Sequence, residues 1–254
     1  MDHFANAEMQ IAFIDEGIGE PVLLIHGFAS SSRVNWLEPG WIKTLTDAGY
    51  RAIALDNRGH GRSTKSHDPA DYEPALMADD AVALLDHLGI ARAHVMGYSM
   101  GARITAFLLL NHPERARSAV FGGVGMGLVE GVGDWDPIAA ALLAKDPSTI
   151  TDAKGKMFRA FADRTKSDRQ ALAACIRASR QELSPGQIAH ISQPVLVAVG
   201  TKDKIGGDPH RLAALLPKGR ALDIPGRDHM LAVGDRVFKT AVLEFLRENP
   251  LDAY

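Results

Sequence analysis

The segment Gly97-Tyr98-Ser99-Met100-Gly101 places a serine between two glycines. Residues 91–96 before it favour a strand, and residues 102–110 after it favour a helix. At such a sharp turn the serine takes a strained backbone conformation, and glycines at 97 and 101 avoid the collisions that side chains would cause. A turn that only connects two elements has the same pattern. The strand and helix on either side favour Ser99 as a nucleophile.

A serine hydroxyl is a weak nucleophile unless a base accepts its proton. Among the ten histidines, His229 is the candidate base, because it lies just past the last predicted strand, where a loop can reach Ser99. Two carboxylates could orient that histidine. Asp203 follows an apolar strand, whereas Asp228 precedes His229 directly and cannot easily turn back to its own neighbour. Nucleophile, acid and histidine in this order are typical of a triad on an α/β sheet.

The elements that position these residues alternate between strands and helices along the chain. Apolar runs typical of strands covered on both faces occur at residues 21–25, 50–55 and 194–200. Residues 9–15 alternate between polar and apolar, and we expect them to pair with residues 21–25 as a hairpin at one edge of the sheet. Helical spacing of apolar residues in 73–88 and 233–246 predicts helices between and after the strands.

In four blocks the chain resembles the α/β-hydrolase family. The blocks are the serine segment, Asp203 with His229, His26-Gly27-Phe28, and the loop from Asp56 to Ser63. The resemblance implies an α/β fold with a mostly parallel central sheet of about eight strands, flanked by helices and carrying a small helical cap. It also implies that the acid is Asp203, which would fix the tautomer of His229 and stabilise its protonated form.

The same resemblance assigns supporting roles to other residues. The backbone N–H groups of Phe28 and Met100 would form the oxyanion hole. His26, Arg58 and His60 would brace the loops around the site and take no part in proton transfer. On the helix predicted at 73–88, three aspartates are expected to lie on a solvated or capping face: Asp79, Asp80 and Asp86.

The glycine-rich stretch at 122–133 matches neither a phosphate-binding loop nor a dinucleotide fingerprint. Family members carry a helical cap at this place, so we expect residues 126–190 to form a cap and residues 1–125 and 191–254 to form the core. The polar connectors of this segment suggest a small, mobile lid. The candidate substrate-binding residues are large apolar side chains near the expected mouth of the site: Trp36, Met126, Leu128, Trp135 and Met230.

The composition is that of an ordinary globular domain, with 254 residues, 46% hydrophobic and 23% charged, and a net charge of −3. We expect no nucleic-acid or membrane partner, because neither a basic patch nor an apolar run of membrane-spanning length occurs. Cys175 is the only cysteine, so no internal disulfide is possible, and a buried or idle thiol is expected. Without a signal peptide, a cytoplasmic location is the default expectation. The oligomeric state is left open.

A serine nucleophile predicts acyl transfer to water, since relatives that open epoxides use aspartate instead. We expect a hydrolase of small or medium carboxylic esters, with no metal or cofactor and an optimum at about four to eight acyl carbons. One alternative is a carbon–carbon bond hydrolase of dicarbonyl compounds, in which cap arginines would hold an acidic substrate: Arg159, Arg164, Arg177 or Arg180. These arginines are more typical of surface charges. The other alternative is a ligand-binding receptor with a slow triad.

Overall fold

The computed structural model describes residues 1–251, and the chain folds around one central sheet in this range. The order of its strands is β1-β2-β4-β3-β5-β6-β7-β8, with β1 and β2 antiparallel to their neighbours and the other pairs parallel. The strands are β1 (Asp2–Asn6), β2 (Met9–Glu16), β3 (Glu20–Ile25), β4 (Tyr50–Leu55), β5 (Ala93–Tyr98), β6 (Ala116–Gly122), β7 (Val195–Gly200) and β8 (Gly219–Ile224). The α/β-hydrolase fold expected from the sequence is confirmed.

Helices cover both faces of this sheet and fill the connections between parallel strands. They are α1 (Trp41–Asp47), α2 (Pro74–His87), α3 (Met100–Asn111), α4 (Asp136–Leu143), α5 (Ala153–Thr165), α6 (Arg169–Ala178), α7 (Pro185–Ala189), α8 (Pro209–Leu215) and α9 (Arg236–Glu248). Four of them, α4 to α7, follow one another between β6 and β7. These four helices make up most of residues 126–190, the proposed cap, which we call the cap segment.

The alternation of side chains along each strand divides the core into two layers. In β3, Leu23 and Ile25 face the layer that also holds α2, α3 and the helices of the cap segment. Val22 and Leu24 face the opposite layer, which α1 and α9 cover. Because both faces are buried, β3 reads as a continuous apolar run in the sequence.

The hairpin expected between residues 9–15 and 21–25 is wrong. β2 pairs with β1 on one side and with β4 on the other, and β4 lies between β2 and β3. The paired residues include Phe13 with Leu55 and Asp15 with Ile53. A short turn makes a hairpin possible but does not require one, and here the backbone groups at the two edges of β2 are paired by β1 and β4.

Hydrogen bonds tie the loops after β3 and β4 together beneath the site. His26 Nε2 accepts a hydrogen bond from the Asn57 N–H at 2.9 Å, and its Nδ1 lies 2.8 Å from the Gly27 carbonyl oxygen. The imidazole therefore carries its proton on Nδ1 and is satisfied within the protein. Burial lowers the pKa of His26, and burial together with the neighbouring His26 lowers the pKa of His60 to about 3. Both histidines are buried as neutral rings, in keeping with a bracing role.

A buried ion pair holds the loop that follows β4 in place. The Arg58 guanidinium donates two hydrogen bonds to Asp80, at 2.7 and 2.8 Å, and a third to the Asp71 carbonyl oxygen. Arg58 is a structural donor, as expected. The expectation for Asp80 is wrong, since its side chain is 1% exposed. Removing either partner would leave a buried charge unpaired, so the pair locks α2 to this loop.

No helix within residues 1–251 combines the length and the apolar character needed to cross a membrane.

Candidate active site

The turn between β5 and α3 holds Ser99 in a backbone conformation that few residues adopt, with φ 55° and ψ −114°. A Cβ on Gly97 would lie 2.1 Å from the Gly101 carbonyl oxygen, and a Cβ on Gly101 would lie 1.9 Å from the Ile25 carbonyl oxygen. Both glycines are therefore required for the close packing of α3 against β5 and β3. This packing places Ser99 at the carboxyl end of the sheet, at the N-cap position directly before α3.

A chain of hydrogen bonds runs from this serine through a histidine to an aspartate. His229 Nε2 lies 3.0 Å from Ser99 Oγ, and His229 Nδ1 lies 2.7 Å from Asp203 Oδ2. The other carboxylate oxygen, Oδ1, accepts backbone N–H groups from Ile205 at 2.7 Å and Gly206 at 3.0 Å. The sheet thus brings together three residues that lie far apart in sequence, each in the loop after a parallel strand.

The hydrogen bonds around Asp203 keep its carboxyl group ionised. Burial raises the pKa of its fully buried carboxyl, but hydrogen bonds from His229, Gly206 and Ile205 outweigh burial and hold the pKa below its usual range. An ionised acceptor on Nδ1 requires that nitrogen to carry the proton, which leaves Nε2 free to accept from Ser99. Asp228 plays no part in this arrangement, because its Oδ1 accepts the N–H groups of Met230 and Leu231.

The loop that holds the histidine has its own anchor. The Tyr98 hydroxyl donates a hydrogen bond of 2.6 Å to the backbone carbonyl oxygen of His229. Tyr98 precedes the serine and is buried, so one residue fixes the histidine loop relative to the turn. Sequence reasoning missed this contact, since no motif connects residue 98 with residue 229.

Two backbone N–H groups are expected from the sequence to form an oxyanion hole. They belong to Phe28, in the loop after β3, and to Met100, the first residue of α3. Neither donates a backbone hydrogen bond within residues 1–251. The Asn35 side chain accepts the Gly27 N–H at 3.1 Å, and Ala29 adopts a positive φ of 59°, so the Phe28 loop is held in a defined, sharply turned conformation.

Two cavities meet at Ser99, with Phe28 and Trp135 lining both. The small cavity has a volume of about 50 Å³ and the large cavity a volume of about 700 Å³. The walls of the small cavity include Met100, Val124, Ile176, Ser179, Arg180 and Ile205. The walls of the large cavity include His229, Val34, Phe158, Phe161, Met230 and Val233. Most of both linings is apolar, and the cap segment supplies side chains to each cavity.

Of the five residues expected to bind substrate, two lie at these cavities. Trp135 lines both, and Met230 lines the large one. The expectation fails for the other three. Trp36 is fully buried against Trp41 beneath the loop, with the ring centroids 6.2 Å apart. Met126 and Leu128 are buried in the core and line neither cavity. Apolar type and sequence position alone do not separate pocket walls from core.

The arginines of the cap segment differ in position. Arg159 is buried and donates to Asp163 and to two backbone carbonyl oxygens, so it is neither a surface charge nor a pocket residue. Arg164 lines the large cavity, and Arg180 lines the small one. Arg177 is exposed. Arg103, which the sequence reasoning did not single out, is a buried arginine on the wall of the small cavity.

The thiol of Cys175 is the remaining candidate group for chemistry. Burial raises the pKa of the Cys175 thiol to about 12, so this cysteine is protonated at neutral pH, as expected for an idle thiol. In the part of the chain that the structure describes, no group of three or more His, Cys, Asp and Glu side chains is arranged to hold a metal ion.

The family model of the alpha/beta hydrolase fold matches residues 20–156, more than half of the chain. The chain therefore belongs to the alpha/beta hydrolase family. In sequence it is similar to BpoC of Mycobacterium tuberculosis (strain H37Rv), a protein named as a proposed non-heme bromoperoxidase. The two are 29% identical over an alignment that covers 93% of this chain and 97% of the relative.

Solved structures confirm the fold over nearly the whole chain. A hydrolase from Pseudomonas aeruginosa PA01 has a TM-score of 0.78 and 25% identity, covering 96% of this chain and 97% of its own. The meta-cleavage product hydrolase CumD from Pseudomonas fluorescens IP01 has a TM-score of 0.75 and 22% identity, with 98% of both chains covered. Other similar proteins carry the names epoxide hydrolase and esterase. Family membership thus leaves the reaction to be argued from the site.

Proposed function

We propose that this protein is a serine hydrolase that cleaves carboxylic esters of small to medium acyl chains through an acyl-enzyme intermediate. The observation that carries the proposal is the chain of hydrogen bonds from Ser99 through His229 to Asp203, at 3.0 and 2.7 Å. Each contact is within the reach that proton transfer requires. A serine in the strained turn, where epoxide-opening relatives use aspartate, supports transfer of an acyl group to water.

In the proposed mechanism Ser99 Oγ attacks the ester carbonyl carbon while its proton passes to His229 Nε2. The ionised Asp203 stabilises the imidazolium that forms. The N–H groups of Phe28 and Met100 receive the negative charge on the carbonyl oxygen, and each such donor contributes about 3 kcal/mol. His229 then gives its proton to the departing alkoxide. Water attacks the acyl-enzyme by the same steps, releasing the acid and restoring Ser99.

The two cavities suggest where the parts of the ester lie. His229 lines the large cavity and does not line the small one. Because His229 must protonate the leaving alcohol, the alcohol part belongs in the large cavity. The acyl part then extends into the small cavity beside Met100. The large, mostly apolar cavity suits a varied or bulky alcohol.

A carbon–carbon bond hydrolase is the second candidate, and Arg180 is the observation that favours it. This arginine lines the small cavity beside Ser99, where it could hold an anionic dicarbonyl substrate. The same triad could cleave the carbon–carbon bond of such a substrate after a proton has shifted from one atom of the substrate to another. A receptor with a slow triad remains the alternative from another class, and turnover measurements separate it from both enzymes.

Covalent labelling tests the nucleophile. A fluorophosphonate should label the wild-type protein at Ser99, and Ser99→Ala should abolish both labelling and turnover while the protein stays folded. The matched control is Ser148→Ala, since Ser148 is an exposed serine in a turn of the cap segment. Labelling at another residue, or near-normal activity of Ser99→Ala, would refute the assignment.

Turnover of a substrate panel tests the reaction. The expected result is hydrolysis of uncharged p-nitrophenyl esters with a clear optimum in acyl length. A vinylogous diketone carrying a carboxylate is the comparison substrate for the second candidate. A kcat/KM for the diketone a hundredfold or more above that for the best ester would favour the carbon–carbon bond hydrolase over the ester hydrolase. If neither substrate is turned over, the ligand-binding receptor is the hypothesis that stands.

A further inference from the structure

The lining of the small cavity contains more polar side chains than the binding of a hydrocarbon acyl chain requires. Its lining includes the apolar side chains of Val124, Ile176 and Ile205. The same cavity is also lined by Trp135, Ser179 and Arg180. The first of these three lies in the segment before α4, and the other two directly follow α6.

Two residues of this lining carry a buried N–H group that has no partner within residues 1–251. The two groups are Trp135 Nε1 and Arg180 Nε. The Trp135 side chain belongs to a residue that is only 7% exposed, so water has little access to it. A buried donor without an acceptor is destabilising, and most buried donors in proteins are paired. Two such donors on one cavity beside a nucleophile suggest that a ligand supplies the acceptor.

The charge at this wall is positive. Arg180 Nη2 contacts Asp136 at 3.4 Å, but the two side chains are 32% and 78% exposed, so solvent screens this pair while Arg180 Nε stays buried. Arg103 adds a second buried guanidinium on the same cavity, and its donors go to the backbone carbonyl oxygens of Gly127, Leu128 and Gln181. Arg103 thus contributes charge but is already satisfied, whereas Arg180 keeps a free donor.

The volume of the small cavity limits the length of the acyl group. A water molecule occupies about 10–15 Å³ of such volume, so the roughly 50 Å³ here holds about three to five non-hydrogen atoms beyond the reacting carbonyl carbon. A chain of two methylenes and a carboxylate has five. For an alkyl acyl group this is about four to six carbons including the carbonyl carbon, the lower part of the range of about four to eight acyl carbons expected from the sequence.

We propose that the natural substrate is a half-ester of a short dicarboxylic acid, of malonyl to succinyl length, whose free carboxylate binds Trp135 Nε1 and Arg180 Nε in the small cavity. This inference rests on the proposed function. Ser99 forms the ester bond to the acyl carbonyl carbon, the alcohol leaves with the proton from His229, and water then releases the dicarboxylate.

The test compares two methyl esters of nearly the same shape in a pH-stat, which records the acid that each releases. Monomethyl succinate carries the carboxylate, and methyl 4-methylpentanoate has two methyl groups in its place. Methyl esters are used because the carboxylate of an activated aryl half-ester would attack its own ester. We expect the kcat/KM of the wild-type protein to be at least about tenfold higher for monomethyl succinate.

Variants assign this preference to the two donors. Arg180→Gln should reduce the ratio of the two kcat/KM values by about tenfold or more, and Trp135→Phe, which keeps an aromatic ring, should reduce it severalfold. Arg177→Gln is the matched control, because Arg177 lies on the neighbouring α6, is exposed and does not line the small cavity. It should leave the ratio unchanged.

Three results would count against the inference. It is overturned if methyl 4-methylpentanoate is the equal or better substrate, or if Arg180→Gln, shown by circular dichroism to be folded, keeps the wild-type ratio. In both cases ester hydrolysis itself stands. If the wild-type protein hydrolyses no methyl or p-nitrophenyl ester and takes up no fluorophosphonate, the proposed function fails and the inference fails with it.

Discussion

Replacing Asp203 by asparagine tests the triad most sharply, because the structure dictates how the new amide must lie. Oδ1 accepts the N–H groups of Ile205 and Gly206, and Oδ2 faces His229 Nδ1. In Asp203→Asn the amide oxygen keeps the two backbone donors, so the NH₂ group faces the imidazole. His229 Nδ1 must then accept, which moves its proton to Nε2 and removes the base from Ser99.

The magnitude follows from the alternative orientation of that amide. The tautomer of His229 that can accept the serine proton carries its own proton on Nδ1. To restore it, the new amide must rotate by about 180°, which breaks both backbone hydrogen bonds and places its NH₂ group against the backbone N–H groups of Ile205 and Gly206. Two lost bonds and two unsatisfied buried donors cost about 2–6 kcal/mol in total. The useful tautomer is therefore depleted about 30-fold to 2 × 10⁴-fold. Loss of the charge that stabilises the imidazolium adds to this, so we expect kcat to fall by about 10³ or more.

Steady-state hydrolysis of p-nitrophenyl acetate by purified variants measures this loss. Asp228→Asn is the matched control, because the Asp228 Oδ1 that accepts two N–H groups is retained in the amide. It should keep activity within a few-fold of wild type. His229→Ala should lose somewhat more than Asp203→Asn, since the imidazole itself is gone. Near-normal activity of folded Asp203→Asn, or a larger loss in Asp228→Asn, would refute the choice of acid.

Further predictions concern the supports of the site. Tyr98→Phe removes the 2.6 Å hydrogen bond to the histidine loop, so we expect a loss of about 1–3 kcal/mol in the free energy of unfolding and a lower kcat; unchanged values of both would contradict the anchor. Gly101→Ala places a Cβ 1.9 Å from a backbone oxygen and should destabilise by about 3 kcal/mol or more, whereas Gly186→Ala, whose nearest neighbour is 3.9 Å away, should change urea unfolding by less than about 1 kcal/mol. The pKa of His60 is about 3 in the folded protein and about 6.5 when unfolded, so the unfolded chain binds more protons between these values and stability falls as pH drops from about 6.5 towards 3, by up to about 1.4 kcal/mol per pH unit. His60→Gln should weaken that slope in urea unfolding at pH 7, 6 and 5, and an unchanged slope would argue against a buried neutral ring.

The turn around Ser99 is a part of the site that the sequence itself determines. Gly97 and Gly101 are close neighbours of the serine along the chain, and the clashes they avoid arise between adjacent elements. Local steric rules therefore predict both the turn and the exposed hydroxyl. The positions of Asp203 and His229 after parallel strands follow similarly, because the carboxyl ends of parallel strands lie at one edge of the sheet.

The tertiary structure alone decided which segments pair and which side chains line a cavity. β2 lies against β4 instead of β3, and the sequence of either segment allows both partners. Asp80 is buried because Arg58 meets it from another loop. Trp36 and Trp135 are the same residue type and each lies shortly before a helix, yet one fills the core and the other lines both cavities. Strand pairing and side-chain burial depend on contacts between residues that are distant in sequence. Periodicity and motif spacing reflect only contacts between residues that are close in sequence.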